Sequence, residues 1–131
     1  MKAICLSDIH GNDVKYRKLC GYIKQTLPDA VFIAGDVLPN YYVTEPLEFI
    51  DDTLKPLLSD LKEEMKQAYP DIFLITGNDD AAVSCEHLRY LELKGLIHFA
   101  NKLVMDQKGY TVLGYPYVPP TPFLLKDWEK Y

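Results

Sequence analysis

Three short apolar runs in this chain each end in glycine and in acidic or amide residues. Residues 2–7 lead into Ser7-Asp8-Ile9-His10-Gly11, Ala30–Ala34 into Gly35-Asp36, and Ile72–Ile75 into Thr76-Gly77-Asn78-Asp79-Asp80. Apolar runs of this length bounded by turn residues read as buried strands. The segments between them carry a helical period, and strands alternating with helices argue for an α/β layer with a largely parallel sheet at its start. The carboxyl ends of parallel strands lie along one edge of such a sheet, so residues far apart in sequence converge there.

After the first run, Tyr16, Leu19, Cys20, Ile23 and Leu27 recur at helix spacing; Asn12 or Asp13 can cap the start, and Pro28 follows the end. From about Glu45 to Tyr69, residues including Leu47, Ile50, Leu54, Leu58 and Leu61 trace one apolar stripe. Pro56 interrupts that stripe, so a kink or two abutting helices are expected. A third helix is expected over Ala81–Lys94, stopped by Gly95. Strand-like stretches at Leu96–Met105 and Tyr110–Leu113 then flank a turn at Gly109, which gives the order βαβαβαββ. Pro116, Pro119, Pro120 and Pro122 favour extended backbone beyond Gly114.

A chain of 131 residues, 48% of them apolar, suits one domain with one core. Its 14 basic and 19 acidic residues leave a net charge of -5 with no stripe of Lys and Arg, which argues against a surface that tracks nucleic acid. A negative surface does not exclude a phosphate substrate, because bound divalent cations can dominate the local field. Cys5, Cys20 and Cys85 are odd in number and lack metal-site spacing, so buried thiols in a reducing compartment are expected. No apolar run is long enough for a signal peptide or a membrane span, and a soluble cytoplasmic protein is expected. The glycine-rich nucleotide loops and the Gly-x-Ser-x-Gly elbow of serine hydrolases are missing.

The chemistry therefore lies in the three strand ends. In extended backbone, residues i and i+2 point to one side, so Asp8 and His10 can grip one ion together. Asp36 offers carboxylate oxygens and Asn78 a neutral amide oxygen, a mixed set that suits Mn, Fe, Zn, Co or Ni. Gly11, Gly35 and Gly77 permit sharp turns and close backbone approach. Asn78 to Asp80 sit where a helix is expected to begin, and exposed amides there favour a phosphate. Asp80 is expected to cap that helix; with Asn12 and Asn78 it is a candidate to touch substrate phosphate or to brace the ligands. Each motif alone has an ordinary reading as a turn or a cap, whereas three together at successive strand ends point to a metal site. His87 is expected to pack or flank on the third helix, and His98 to face outward from a strand.

Asp8-x-His10, Gly35-Asp36 and Gly77-Asn78, in this order, resemble the first three motifs of the calcineurin-like metallophosphoesterase family. That resemblance covers residues 1 to about 80, and the segment from Tyr115 to Trp128 is similar to segments of bacterial members. It implies an α/β/β/α sandwich of which the chain supplies the first half, as a single domain over residues 1–131 truncated at its C-terminus. It also implies two divalent ions. Asp8 and His10 would bind the first, Asp36 would bridge both, and Asn78 would bind the second and touch the phosphate.

The implied reaction is hydrolysis of a phosphate ester by in-line attack of a metal-bridging hydroxide. Asp79 stands where many members carry a histidine that assists the leaving oxygen, which makes it the candidate catalytic residue. Later histidine motifs of the family are not found here, so the second ion site is expected to be incomplete. An inner sheet face in need of cover then implies a homo-oligomer or a complementing chain. The alternative is a non-catalytic binding module of the same fold with a degenerate metal site.

Overall fold

A computed structural model of the chain describes residues 1–40, 42, 44–102 and 104–131. Strands β1 (Ala3–Leu6), β2 (Ala30–Ala34), β3 (Asp71–Ile75) and β4 (His98–Phe99) form one sheet in the order β1-β2-β3-β4, parallel throughout. Helix α1 (Asp13–Thr26) joins β1 to β2, α2 (Pro46–Phe49) and α3 (Lys55–Met65) join β2 to β3, and α4 (Cys85–Leu93) joins β3 to β4. Strands β5 (Val104–Gln107) and β6 (Tyr110–Leu113) form an antiparallel hairpin. The stretch expected as one strand from Leu96 is thus divided: β4 ends at Phe99, a turn follows at Asn101 and Lys102, and β5 starts at Val104. Leu103, inside that expected strand, lies outside the described residues.

Helix α1 forms as the sequence indicates. Asn12 accepts the Lys15 N–H at 3.0 Å as the cap, and Tyr16, Leu19, Cys20 and Ile23 bury one face. Leu27 leaves the stripe: it turns left-handed before Pro28 and its side chain is exposed. The second apolar stripe bends at a π-helical segment, Ile50–Leu54, ahead of Pro56 in the first turn of α3. Proline lacks the N–H that would continue the ladder, and widening one turn keeps Ile50, Leu54, Leu58 and Leu61 facing the sheet. Each such buried side chain contributes roughly 1.5–3 kcal/mol.

The two faces of the sheet differ. Val31, Ile33, Ile72, Leu74 and Phe99 enter the core beneath the helices. Cys5, Phe32, Phe73 and His98 lie in register on the other face, with rings stacked 5.2 Å (Phe32 to Phe73) and 4.8 Å (Phe73 to His98) apart. The hairpin covers that face only partly, and a cavity lined by Phe32, Phe73, Tyr110 and Val112 remains beneath it.

Two expectations change as a consequence. β1 is an edge strand with alternating exposure and is not buried, and the Cys5 thiol is exposed. His98 stands on the face away from the helices, as expected, between buried Ile97 and Phe99, with its ring over Phe73 and its Nε2 3.1 Å from Asp71. The ring is steadied there because β4 lies beside β3, whose Phe73 offers a ring for it to stack on.

Residues 115–131 fold back on themselves. Val118 N–H donates to the Trp128 carbonyl at 2.9 Å and Lys130 N–H to the Val118 carbonyl at 3.0 Å. The Glu129 carboxylate accepts from Lys126 Nζ at 2.8 Å and from Thr121 Oγ at 2.6 Å. Those bonds, Lys126 first and Thr121 second, hold its carboxyl down from 4.5 to about 2. A depressed acid stabilises the fold in full above its unfolded value and loses that contribution as the pH falls through its folded value. Between pH 4.5 and about 2, a Glu129→Gln variant should therefore lose less of its thermal midpoint than the parent, as followed by circular dichroism.

Candidate metal centre

The loops after β1 and β2 run side by side. Asp8 N–H donates to the Gly35 carbonyl at 3.2 Å, His10 N–H to that of Asp36 at 2.8 Å, and Gly11 N–H to that of Val37 at 3.1 Å. Asp8, His10 and Asp36 all take left-handed backbone, with φ of 57°, 51° and 51°. Each such non-glycine residue costs about 1 kcal/mol or more, and strain of this kind collects at functional sites. Asp8 and His10 do face each other, but not through extended strand geometry, because β1 ends at Leu6.

Their side chains converge. His10 Nε2 lies 3.8 Å from Asp8 Oδ1 and 3.9 Å from Asp36 Oδ2, and His10 Nδ1 lies 3.5 Å from Asp79 Oδ2. Asp8, His10 and Asp36 each offer a ligand atom within 4.8 Å of the other two. Ligands about 2.1 Å from a common ion are separated by roughly 3–4 Å, so the three fit one divalent cation. Asp36 is the most buried of them, at 13% side-chain exposure, and Ser7 Oγ donates to Asp8 Oδ2.

The third loop closes on Asp36 from the β3 side. Gly35 (φ 91°) and Gly77 pass backbone to backbone, and a Cβ on Gly77 would stand 2.2 Å from Asp36 Oδ1. That oxygen also accepts the Asp79 N–H at 3.0 Å. Asn78 sits half-buried in the turn between Gly77 and Asp79. One residue earlier than Gly77, the buried Asn101 side chain accepts the Thr76 N–H at 3.0 Å and donates to Thr76 Oγ at 2.8 Å, which fixes the end of β3.

Asp80 does not cap a helix. It is fully buried, and its carboxylate accepts N–H groups from Val37 at 3.0 Å, Leu38 at 2.9 Å and Gly77 at 2.8 Å. Nor does a helix begin at Asn78–Asp80: a 3₁₀ turn occupies Ala82–Ser84 and α4 starts at Cys85. Burial pushes the Asp80 carboxyl up to about 6, against the three N–H donors that lower it. Burial also raises Asp36, opposed by the Asp79 N–H and by His10, with Asp8 and Asp79 adding to the rise. Carboxylates crowded this way around one imidazole suit a bound cation.

Asn12 follows the first loop, and the two other histidines lie away from it. The Asn12 side-chain oxygen is taken by the α1 cap. His87 Nδ1 lies 3.5 Å from Asp51 at the flank of α4, and His98 pairs with Asp71 at the opposite end of β3 from the metal loops.

A sequence profile of the calcineurin-like phosphoesterases matches residues 1–123. The chain belongs to that family. Its fold resembles that of TT1561 of Thermus thermophilus, with a TM-score of 0.68 and 16% identity over 97% of this chain and 55% of that one. A second solved structure matches with a TM-score of 0.59 and 18% identity over 87% of this chain and 52% of its own. The chain thus spans about half the length of these structures, and its architecture is that of the first half of the metallophosphoesterase fold. No curated protein matches it.

Sequence reasoning for this calcineurin-like phosphoesterase missed Asn101, which holds Thr76; Asp127, which accepts the Ala82 N–H; and Trp128, whose indole N–H donates to the Asp80 carbonyl. Asn101 carried no signal, whereas Trp128, the sole tryptophan, was a visible anomaly in a proline-rich tail. Gly77→Ala should weaken binding of added Mn²⁺ by at least tenfold in calorimetry, by displacing Asp36.

Proposed function

We propose that this chain hydrolyses phosphate esters, with Asp8, His10, Asp36 and Asn78 holding divalent metal. The observation that carries this is the convergence of the Asp8, His10 and Asp36 ligand atoms within 4.8 Å on loops strained into left-handed backbone. Metal bound there would supply Lewis acidity toward phosphate oxygens and lower the pKa of a ligand water. Mn, Fe, Zn, Co and Ni all suit the donor set.

Each residue has a separate task. Asp8 and His10 would hold the first ion, and Asp36, the more buried of the two carboxylates, would be shared with the second. Asn78 would hold the second ion and touch the substrate phosphate; Asn12 and Asp80 lie next to these loops, Asp80 as a brace. Asp79 is the candidate catalytic residue. Its carboxylate beside His10 Nδ1 also favours the tautomer that leaves the Nε2 lone pair toward Asp8 and Asp36. A phosphomonoester, a phosphodiester or a phosphoprotein would fit the chemistry.

The partly covered sheet face around Cys5 and Phe32 supports a second copy of the chain, or a complementing chain, as partner. Three free cysteines accord with a reducing cytoplasm. Among the described residues no helix is long and apolar enough to cross a membrane.

One observation favours a second reading, a binding module: a carboxylate, Asp79, stands where a proton donor is needed. Metal analysis and p-nitrophenyl phosphate hydrolysis with added Mn²⁺ separate the two. On the enzymatic reading, Asp36→Asn loses both metal and turnover, and Asp79→Asn keeps metal but slows turnover about tenfold or more. Metal retained by the parent chain without any hydrolysis would establish the binding module instead.

A further inference from the structure

The tail of the chain reaches the metal loops from behind. Trp128 is 7% exposed, and its indole Nε1–H donates to the Asp80 carbonyl at 2.5 Å. Its neighbour Asp127 accepts the Ala82 N–H at 2.7 Å. Two adjacent tail residues therefore hold both sides of Ala81, directly after the Gly77–Asp80 loop. The Asp80 side chain passes that anchorage on to Gly77 and, across the sheet, to Val37 and Leu38, the residues that follow Asp36.

The tail is built to keep its grip. The paired backbone of Val118 with Trp128 and Lys130 closes it into a loop, and the Glu129 clasp with Thr121 and Lys126 ties its interior. Tyr117 lies against Trp128 with ring centroids 6.3 Å apart, and Lys102 and Lys130 lie over the Tyr117 ring at 4.8 Å and 5.2 Å. A buried indole N–H needs an acceptor, and the Asp80 carbonyl supplies it.

We propose that Trp128 and Asp127 are positioning residues: residues 115–131 act as a strap that sets the Gly77–Asp80 loop, and through it Asn78, Asp79 and Asp36, in the geometry that binds metal. This rests on the metal-site reading above. The strap touches no ligand atom. Its effect is transmitted through Asp80, so loosening it should alter the site without unfolding the chain.

The test uses the full chain with Co²⁺ alone as probe, well below the unfolding midpoint. Trp128→Phe keeps an aromatic ring and removes the N–H; Asp127→Ala removes the acceptor, and Asp127→Asn restores one. Trp128→Phe and Asp127→Ala are expected to weaken Co²⁺ binding about tenfold and to shift the visible cobalt absorption, with Asp127→Asn near the parent. An unchanged affinity and spectrum in both would overturn the strap, since a purely stabilising tail would lower only the midpoint.

Amide exchange of Gly77, Val37 and Leu38, followed without metal, provides a second measurement. Faster exchange in Trp128→Phe is expected, and parent-like exchange would again count against the strap. If the parent chain binds no Co²⁺, the metal reading fails by itself and exchange alone decides whether the tail holds the loop.

Discussion

A single buried carboxylate organises the site edge of this fold. Asp80 accepts three backbone N–H groups drawn from two loops, those after β2 and β3, and so fastens together segments more than 40 residues apart in sequence. An unpaired carboxylate in that position would be prohibitive to bury, and three unpaired amides nearly as costly. Each satisfies the other. The Gly35–Gly77 contact and the Asp79 bond to Asp36 both lie within the span that Asp80 fixes, so the placing of Asp36 in the candidate site follows from it.

The irregular backbone around it has a consistent cause. Left-handed Asp8, His10 and Asp36 are unfavourable as isolated residues, and the bonds from Asp8, His10 and Gly11 to the β2 loop keep them there. Tyr16 adds a buried hydroxyl donating to the Val37 carbonyl at 2.8 Å, which ties α1 to the same loop. Strain stored at the candidate ligands is thus offset by bonds just beyond them, which leaves the Asp8 and Asp36 carboxylates close to His10.

The helix side and the open side of the sheet play different parts. Beneath the helices, Val31, Ile33, Ile72 and Leu74 are sealed in the core, and the π-helical turn before Pro56 lets one long apolar stripe follow the sheet. On the opposite side, Phe32, Phe73 and His98 stack along the sheet beneath a hairpin that covers only part of them. Site and open face lie on one scaffold but depend on different forces, directed hydrogen bonds in the first and apolar burial in the second.

The elements were legible in the sequence because they depend on local patterns. The period of Tyr16, Leu19, Cys20 and Ile23, the Asn12 cap, the Pro56 interruption and the apolar runs before each glycine are all short-range signals. The same runs indicated that Asp8, His10, Asp36 and Asn78 would meet at one edge, since the carboxyl ends of parallel strands lie together there. What the sequence could not contain was direction at close range. The turn of Asp80 toward Val37 and Leu38, the left-handed ligand loops, the stacking of His98 on Phe73 and the reach of Trp128 to the Asp80 carbonyl each depend on groups brought together only by folding. A pattern of residue types determined which chemistry meets at the sheet edge; only tertiary structure, where every buried donor must find its acceptor, decided how it is held.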